Sequence, residues 1–475
     1  MTYSGDRILI IGGGIAGIVA GLRASACGQA VTIVEKQAAL GGLLASVNPD
    51  QTDGHSFDLG THIPAETGEP EIDHELFGWM EPSEWQRLPE LRPANYWNNT
   101  LSLAGPFLDL RTLAANHYSA VLPGLLRPVV APAHGFGTLA EQIVEGYGRE
   151  MLDHVFEPIL RKFYGVGAAG LSPDAHLLFG LSRFVCLDPE QTRDLKREPA
   201  LDAKLAFHSV HERPLGSTTP SAFYPRCGGV GRWVAGLERI LRERGVEVRT
   251  ESSIKTVDVA AGVALTSDDC RLNFDRLYWS LPAGMLLRAS GNASAGDFGA
   301  PALSAIILYH FVVAVPVPTT AHYVTCYDPA LRSFRVTVYG NLQPEPAGPT
   351  RLTVEVIAPQ PGQAKPAPAE IFAELHKMGL VDKGSGFSAC HVQILPGGFP
   401  IQTPKHRSDA DRAAQIVERD YRAICLLGRA SGQSFFMRDV IRGAWQLVPK
   451  NRRAEYMVGA TTTSTQPGAA YTHHS

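Results

Sequence analysis

The 475-residue chain lacks several features, and each lack removes a class of function. Its seven cysteines, Cys27, Cys186, Cys227, Cys270, Cys326, Cys390 and Cys425, never come close enough in sequence for a C-x-x-C pair. A zinc ribbon or a dithiol redox motif is therefore not expected, nor is any other metal site. The odd number in a large chain suits reduced, mostly buried thiols in a cytoplasm. Charge of one sign is also missing: Lys+Arg 43 against Asp+Glu 47 gives a formal net charge of −4. No basic excess points to nucleic acid, and any anionic ligand must be held by a few placed arginines. The N-terminal residues show no basic stretch followed by an apolar one and a cleavage site, so no leader is expected. The most apolar run, ALSAIILYHFVVAVPV (302 to 317), is interrupted by His310 and Pro316. Its β-branched residues suit buried strands better than a membrane helix. The segment 458–475 is small and polar and reads as a flexible tail.

What is present begins at RILII, residues 7 to 11, a short apolar run suited to a buried parallel strand. Gly12, Gly14 and Gly17 follow as G-x-G-x-x-G, opening the small, apolar helix that begins at Ile15 and Ala16. In such a motif the first glycine permits a tight turn and the second lets backbone approach a pyrophosphate. The third lets the helix pack on the strand. The helix N-terminus offers free N–H groups to phosphate oxygens. A second strand, AVTIVE, ends in Glu35, which is placed to accept from an adenosine ribose, with Lys36 beside it. Strand, glycines, helix and acid in this order mark a dinucleotide site.

The motif continues through KQAAL to Gly41-Gly42 and Leu43, then to FDLGTHI (57 to 63), which carries Gly60, Thr61 and His62. A second glycine pair beyond the ribose acid is not needed for NAD. It resembles the extended FAD fingerprint of the amine oxidase, protoporphyrinogen oxidase and phytoene desaturase superfamily. That resemblance implies FAD, and places the chain at Gly60–His62 beside the flavin ring.

Further along, Leu139, Ile143, Tyr147, Met151 and Leu152 recur at helical spacing. FYPRCGGVGRW (223 to 233) opens a helix that ends at Gly245, and SIKTVDV, with Ile254, and FDRLYWSLP read as strands. IILYHFVVAV, FRVTVYG and RLTVEVIA alternate as a β-sheet does, and QPGQAKPAPAE (360 to 370) is a loop. AICLLG, Gly428-Arg429 and the helix DVIRGAWQL, with Asp439 and Val440, close the pattern. That helix can direct its N-terminus at the flavin pyrimidine, where negative charge collects on reduction. The fold class is α/β: a discontinuous Rossmann-type FAD-binding domain with inserted helical and β-sheet substrate domains. The boundaries read as 1–75, 221–300 and 386–457 for the FAD domain, 76–220 for a mainly helical insert, and 301–385 for a β-sheet substrate domain.

The order of motifs resembles UDP-galactopyranose mutase and its relatives. GGLLASVNPDQTDGHSFDLGTHI is similar to that family's glycine pair and Phe-Asp-x-Gly-x-His segment. LAEQIVEGYGREMLDHVFEPILRKFYG is similar to its Pro-Tyr-x-x-Lys-x-Trp helix, and FYPRCGGVGRW to its Gly-Gly-x-Gly-x-x-Trp segment. SFRVTVYGNLQP is similar to its Arg- and Asn-containing strand, and Gly428-Arg429 to its final Gly-Arg. The resemblance implies catalysis without net redox. N5 of reduced FAD attacks the anomeric carbon of a nucleotide sugar, and the diphosphate leaves and returns. By it, Arg335 would grip a diphosphate, with Asn341 as companion and Arg183 as a second cation. Tyr164 takes the place of a family Trp near the sugar or base. From the residues alone, Arg335 reads equally as a strand-end surface arginine and Tyr164 as core. His62 and Arg335 are the catalytic candidates. The cofactor set is Gly12, Gly14, Ile15, Ala16, Gly17, Glu35, Lys36, Gly42, Leu43, Gly60, Thr61, His62, Ile254, Gly428, Arg429, Asp439 and Val440.

Two departures stand out. Phe435 and Phe436 occupy places where the family has hydroxyl-bearing tyrosines, and the family's Phe-Ser-His after His62 is missing. An FAD-dependent oxidase or desaturase, taking a hydride from a small molecule, is the alternative. A non-catalytic FAD-stabilised scaffold is disfavoured by the intact His62 and Gly428-Arg429 segments. Implied partners are a small-molecule substrate and an external reductant such as NADPH, without nucleic acid or membrane. A homo-oligomer is compatible with all of this.

Overall fold

The computed structural model describes residues 6–129, 135–213, 219–299, 302–343, 349–358, 364–432 and 436–448. Phe435 and the segment 458–475 lie outside the described residues. Three separated pieces of chain meet in one five-stranded parallel sheet, ordered Glu247–Arg249, Ala30–Val34, Arg7–Ile11, Arg276–Trp279 and Ile424–Leu426. The central strand is apolar throughout because both its faces are covered. Ile8 and Ile10 turn to a core shared with helices Ile15–Ala26, Gly231–Glu243 and Met437–Leu447. Leu9 and Ile11 turn to the other core, with the antiparallel meander of residues 254–273 and helices Ala283–Ala289 and Pro404–Asp420. This is the predicted α/β class.

A second, mostly antiparallel sheet has seven strands, ordered Phe387–Pro400, Leu303–Val313, Thr350–Ile357, Ser333–Val338, Tyr323–Cys326, Pro93–Trp97 and Thr100–Ser102. The apolar run at 302–317 is its strand Leu303–Val313, buried from Ile306 onward. Two segments fall differently from the sequence reading. The sequence groups Phe387–Pro400 with the last cofactor piece, but this strand pairs along its length with Leu303–Val313. Pro93–Trp97 lies in the span read as mainly helical, yet it runs parallel to Tyr323–Cys326 in the same sheet. Both pairings join residues far apart in sequence, which periodicity cannot reveal.

The helical span is one apolar stripe broken in two. Thr138 and Glu141 form a reciprocal capping box on helix Leu139–Tyr147. Gly148, at φ 94°, ends it, and the chain resumes through Leu152–Phe156 into Glu157–Tyr164. Leu139, Ile143, Tyr147, Met151 and Leu152 are all buried, as their spacing predicts. All seven cysteines are free, but only Cys186 and Cys326 are buried, and Cys227 is exposed. No helix among the described residues is long and apolar enough to cross a membrane, and they hold no cluster of potential metal ligands.

Candidate functional site

At the glycine loop the three motif glycines do different things. Gly12 has φ 97°, and a Cβ there would lie 2.1 Å from Ser280 Oγ. A Cβ on Gly17 would lie 2.0 Å from the carbonyl oxygen of Gly12. Both positions are glycine because the protein's own atoms fill the space. Gly14 differs: nothing stands within 4 Å of its Cβ position. It is the N-cap of helix Ile15–Ala26 and has no side-chain cap. The first-turn N–H groups, including those of Ile15, Ala16 and Gly17, have no carbonyl four residues back within the helix. Open space beside free donors is what a pyrophosphate requires.

Glu35 lies buried beside this loop. Its carboxylate accepts from the backbone N–H of Gly13 at 2.7 Å and of Gln37 at 2.9 Å. A carboxylate has about four acceptor positions, so capacity for ribose hydroxyls remains. The second glycine pair folds back on the first: Gly41 N–H donates to the Gly13 carbonyl at 2.7 Å. Gly42, at φ 59°, comes close to Gly14 Cα. Lys36 and Leu43 are exposed at this end. Ser252 N–H donates to the Glu35 carbonyl at 3.0 Å, which brings the strand beginning at Ile254 alongside.

The other end is built on the segment after strand Phe57–Asp58. Gly60 turns the chain at φ 98°. Thr61 N–H then donates to Glu355 Oε1 at 2.9 Å, and its hydroxyl lies 2.6 Å from that of Thr337. Glu355 sits opposite Arg335 on the neighbouring strand and takes both of its forks, Nε at 2.7 Å and Nη2 at 2.9 Å. Glu355 is almost completely buried and Arg335 half-buried. His62 follows, half-buried, with Nδ1 lacking a hydrogen-bond partner among the described residues. Burial, then the charge of Arg335, push its imidazole down to about 4, with Glu355 opposing. His62 is therefore neutral near pH 7. Arg429 adds positive potential at His62, and no acidic partner of Arg429 appears among the described residues. Gly428, at φ 57°, packs against Ala16 and Val440, so the first and last helices meet here. Asp439 is exposed in the first turn of helix Met437–Leu447.

Two residues not singled out by the sequence reading organise this end. One is Glu355, a lone acid in the apolar run RLTVEVIA. The other is Asp58, fully buried. It accepts from Ser46 Oγ at 2.7 Å, from Val230 N–H at 2.8 Å and from Tyr224 Oη. It thereby ties the FDLGTH segment to the start of helix Gly231–Glu243. Burial pushes its carboxyl up to about 6, against those three hydrogen bonds. A Cβ on Gly229 would lie 2.2 Å from Asp58 Oδ1, so the Gly228-Gly229 pair was the available sequence signal.

The substrate candidates divide. Arg335 lies beside His62, but two of its five N–H groups are committed to Glu355. Arg183 approaches Asp202 at 3.6 Å, away from that cluster. Asn341 spends both amide hydrogens on the carbonyls of Thr319 and Ala321, at 2.8 and 2.7 Å. Tyr164 is 2 % exposed, and its hydroxyl donates to the Ala175 carbonyl at 2.7 Å. Tyr164 thus packs in the core, and Asn341 straps the loop at Thr319 and Ala321. Phe436 is 52 % exposed.

The depressed His62 has a pH signature. Between about 4 and its ordinary 6.5, His62 binds fewer protons folded than unfolded. Its contribution to stability is therefore whole above pH 6.5 and lost as pH falls toward 4. The difference in unfolding midpoint between wild type and His62→Gln is expected to shift against the wild type over that interval. A pH-independent difference would contradict a neutral, buried imidazole.

The chain is similar to known proteins in ways that agree with this geometry. Residues 10–75 match the family model of an NAD(P)-binding Rossmann-like domain. A 4,4'-diaponeurosporene oxygenase of Staphylococcus haemolyticus (strain JCSC1435) is 27% identical over 282 residues, 54% of this chain and 50% of that protein. The match thus spans about half the length of that relative. Reduced UDP-galactopyranose mutase superposes with a TM-score of 0.71 at 16% identity, covering 95% of this chain and 94% of that one. A triple mutant of putrescine oxidase with redesigned cofactor binding superposes at 0.60 and 13% identity, covering 95% and 98%. The open flank of Gly14, the buried acceptor Glu35 and the orphan nitrogen of His62 fit FAD as cofactor. With the three-piece parallel sheet, the chain shares the overall fold of UDP-galactopyranose mutase and putrescine oxidase.

Proposed function

We propose that this protein is an FAD-dependent, mutase-like enzyme that acts on a nucleotide-linked sugar with its flavin reduced. The observation that carries this reading is the charge pattern at the flavin end. A neutral His62 lies beside two guanidiniums, Arg335 and Arg429. Such a pattern favours a reduced, anionic flavin and an anionic leaving group. Reduced FAD, when bound, supplies an electron-rich ring nitrogen able to attack an anomeric carbon. His62 offers a nitrogen to the cofactor edge without adding a charge. The Arg335–Glu355 pair holds Thr61 and the Gly60 turn, and so orients His62. Gly428, with Ala16 and Val440, seats the N-terminus of helix Met437–Leu447. The likeness to UDP-galactopyranose mutase along 95% of the chain supports the reading. An external reductant, with NADPH as candidate, belongs to it.

The test is turnover by one preparation in two redox states. Dithionite-reduced protein is expected to isomerise a nucleotide sugar at least 100-fold faster than the oxidised form. Activity that needs oxidised flavin and consumes an acceptor stoichiometrically would sink the mutase reading. That outcome would support the second reading, a flavin oxidase or desaturase. Two observations favour it: the similarity to an oxygenase, and a cavity of about 340 Å³ beside Arg429 whose wall includes Pro282, Met285, Phe298 and Leu303.

A further inference from the structure

A cavity of about 620 Å³ borders the flavin end, walled by the approach to strand Pro93–Trp97, the segment around His208 and the start of helix Met437–Leu447. Arg92, Arg213 and Arg438 line it, together with His208 and His211, and Glu90 is its one acidic lining residue. Other arginines of the chain reach acids: Arg335 pairs with Glu355, Arg183 with Asp202, Arg442 with Glu69. Among the described residues, none of the three cavity arginines has a carboxylate within 4.0 Å. Arg92 spends one N–H on the Thr320 carbonyl and keeps the rest. His208 is turned to Asp109 at 3.4 Å. In a chain of net charge −4, three uncompensated guanidiniums around one cavity repel one another unless an anion joins them.

We infer that this cavity, through Arg92, Arg213 and Arg438, binds the phosphoryl end of a nucleotide-diphosphate substrate, the part that resemblance assigns to Arg335 and Arg183. This rests on the reading of the protein as a flavoenzyme for a nucleotide-linked sugar. The placement connects the two ends. Ala65 lines the cavity three residues beyond His62. Tyr323, also in its wall, pairs in register with Thr337, whose hydroxyl meets that of Thr61. Arg438 immediately precedes Asp439 and Val440 of the helix that meets Ala16 and Gly428. A substrate anchored by phosphate here places its far end toward His62. Planar guanidiniums match phosphate oxygens two at a time, and the volume lies in the range of sites for such molecules.

Calorimetric titration of FAD-loaded protein with inorganic pyrophosphate and with UDP tests this. UDP is expected to bind at least tenfold tighter than pyrophosphate. Arg92→Met and Arg438→Met are each expected to weaken UDP at least tenfold, and the double variant at least 100-fold. Arg183→Met is expected to leave binding unchanged. Where a variant loses flavin, phenylglyoxal modification of the wild type replaces it, with UDP expected to protect Arg92, Arg213 and Arg438. Unchanged affinity in the double variant, or no protection at these three residues, overturns the inference. Equal affinity for UDP and pyrophosphate assigns the cavity to a bare anion and overturns it too. Arginine-dependent UDP binding without sugar turnover by reduced protein would instead remove the mutase reading and leave the anion site standing.

Discussion

Gly17→Ala is expected to yield a protein that is about 3 kcal/mol less stable and retains less than a tenth of the wild-type flavin. The added methyl would lie 2.0 Å from the Gly12 carbonyl, a backbone atom fixed by the central strand. Helix Ile15–Ala26 must shift bodily to admit it, and overpacking of this kind costs about 1–3 kcal/mol or more. The shift also withdraws the helix N-terminus from the pyrophosphate position. Gly14→Ala separates these two effects. Its backbone, at φ −70° and ψ 178°, suits alanine, and its Cβ position is open. The apo-protein is therefore expected to keep its stability within about 0.5 kcal/mol, while FAD affinity falls at least tenfold because the methyl stands where the cofactor comes closest. Flavin absorbance per protein after gel filtration, with denaturant unfolding of the apo forms, measures both. Full flavin retention in Gly14→Ala would show that the pyrophosphate does not lie there.

Glu355→Ala is expected to cost about 3–5 kcal/mol, the range for leaving one member of a buried ion pair uncompensated. It strands the Arg335 charge and removes the acceptor of Thr61 N–H. Arg335→Ala is expected to destabilise similarly, by stranding Glu355 instead. The double substitution removes both charges, so its cost should fall at least 2 kcal/mol short of the sum. Additive costs would show that the two residues do not act as one unit. Glu355→Gln keeps the shape and an acceptor for Thr61, and is expected to cost less than Glu355→Ala. In the same set, Arg335→Ala is expected to hold FAD while its reduced form loses turnover, through misplacement of the turn from Gly60 to His62.

How much of this site was legible in the sequence depended on chain separation. The glycines, Glu35 and the second glycine pair lie within about 30 residues and follow local rules of turn, strand and helix. Asp58 and Glu355 were passed over for a physical reason. Each is defined by partners from other parts of the fold: Val230 and Tyr224 for Asp58, Thr61 for Glu355. A lone acid in an apolar strand signals a buried partner, but does not say which residue it is. Tyr164 and Asn341 were matched by motif to substrate, yet the Tyr164 hydroxyl and the Asn341 amide hydrogens donate to nearby carbonyls.

By itself the sequence determined an α/β chain with a discontinuous FAD-type cradle, because hydrophobic period, glycine spacing and a strand-end acid act over a few turns of chain. Tertiary structure alone decided which cations are free. Arg335 and Arg183 found acids across the sheet and across the helical layer. Arg92, Arg213 and Arg438, unremarkable in the sequence, were brought to one cavity whose one acidic lining residue is Glu90, with no carboxylate within 4.0 Å of them among the described residues. A guanidinium's availability is set by whichever carboxylate folding places within reach, and that is a property of the packed molecule.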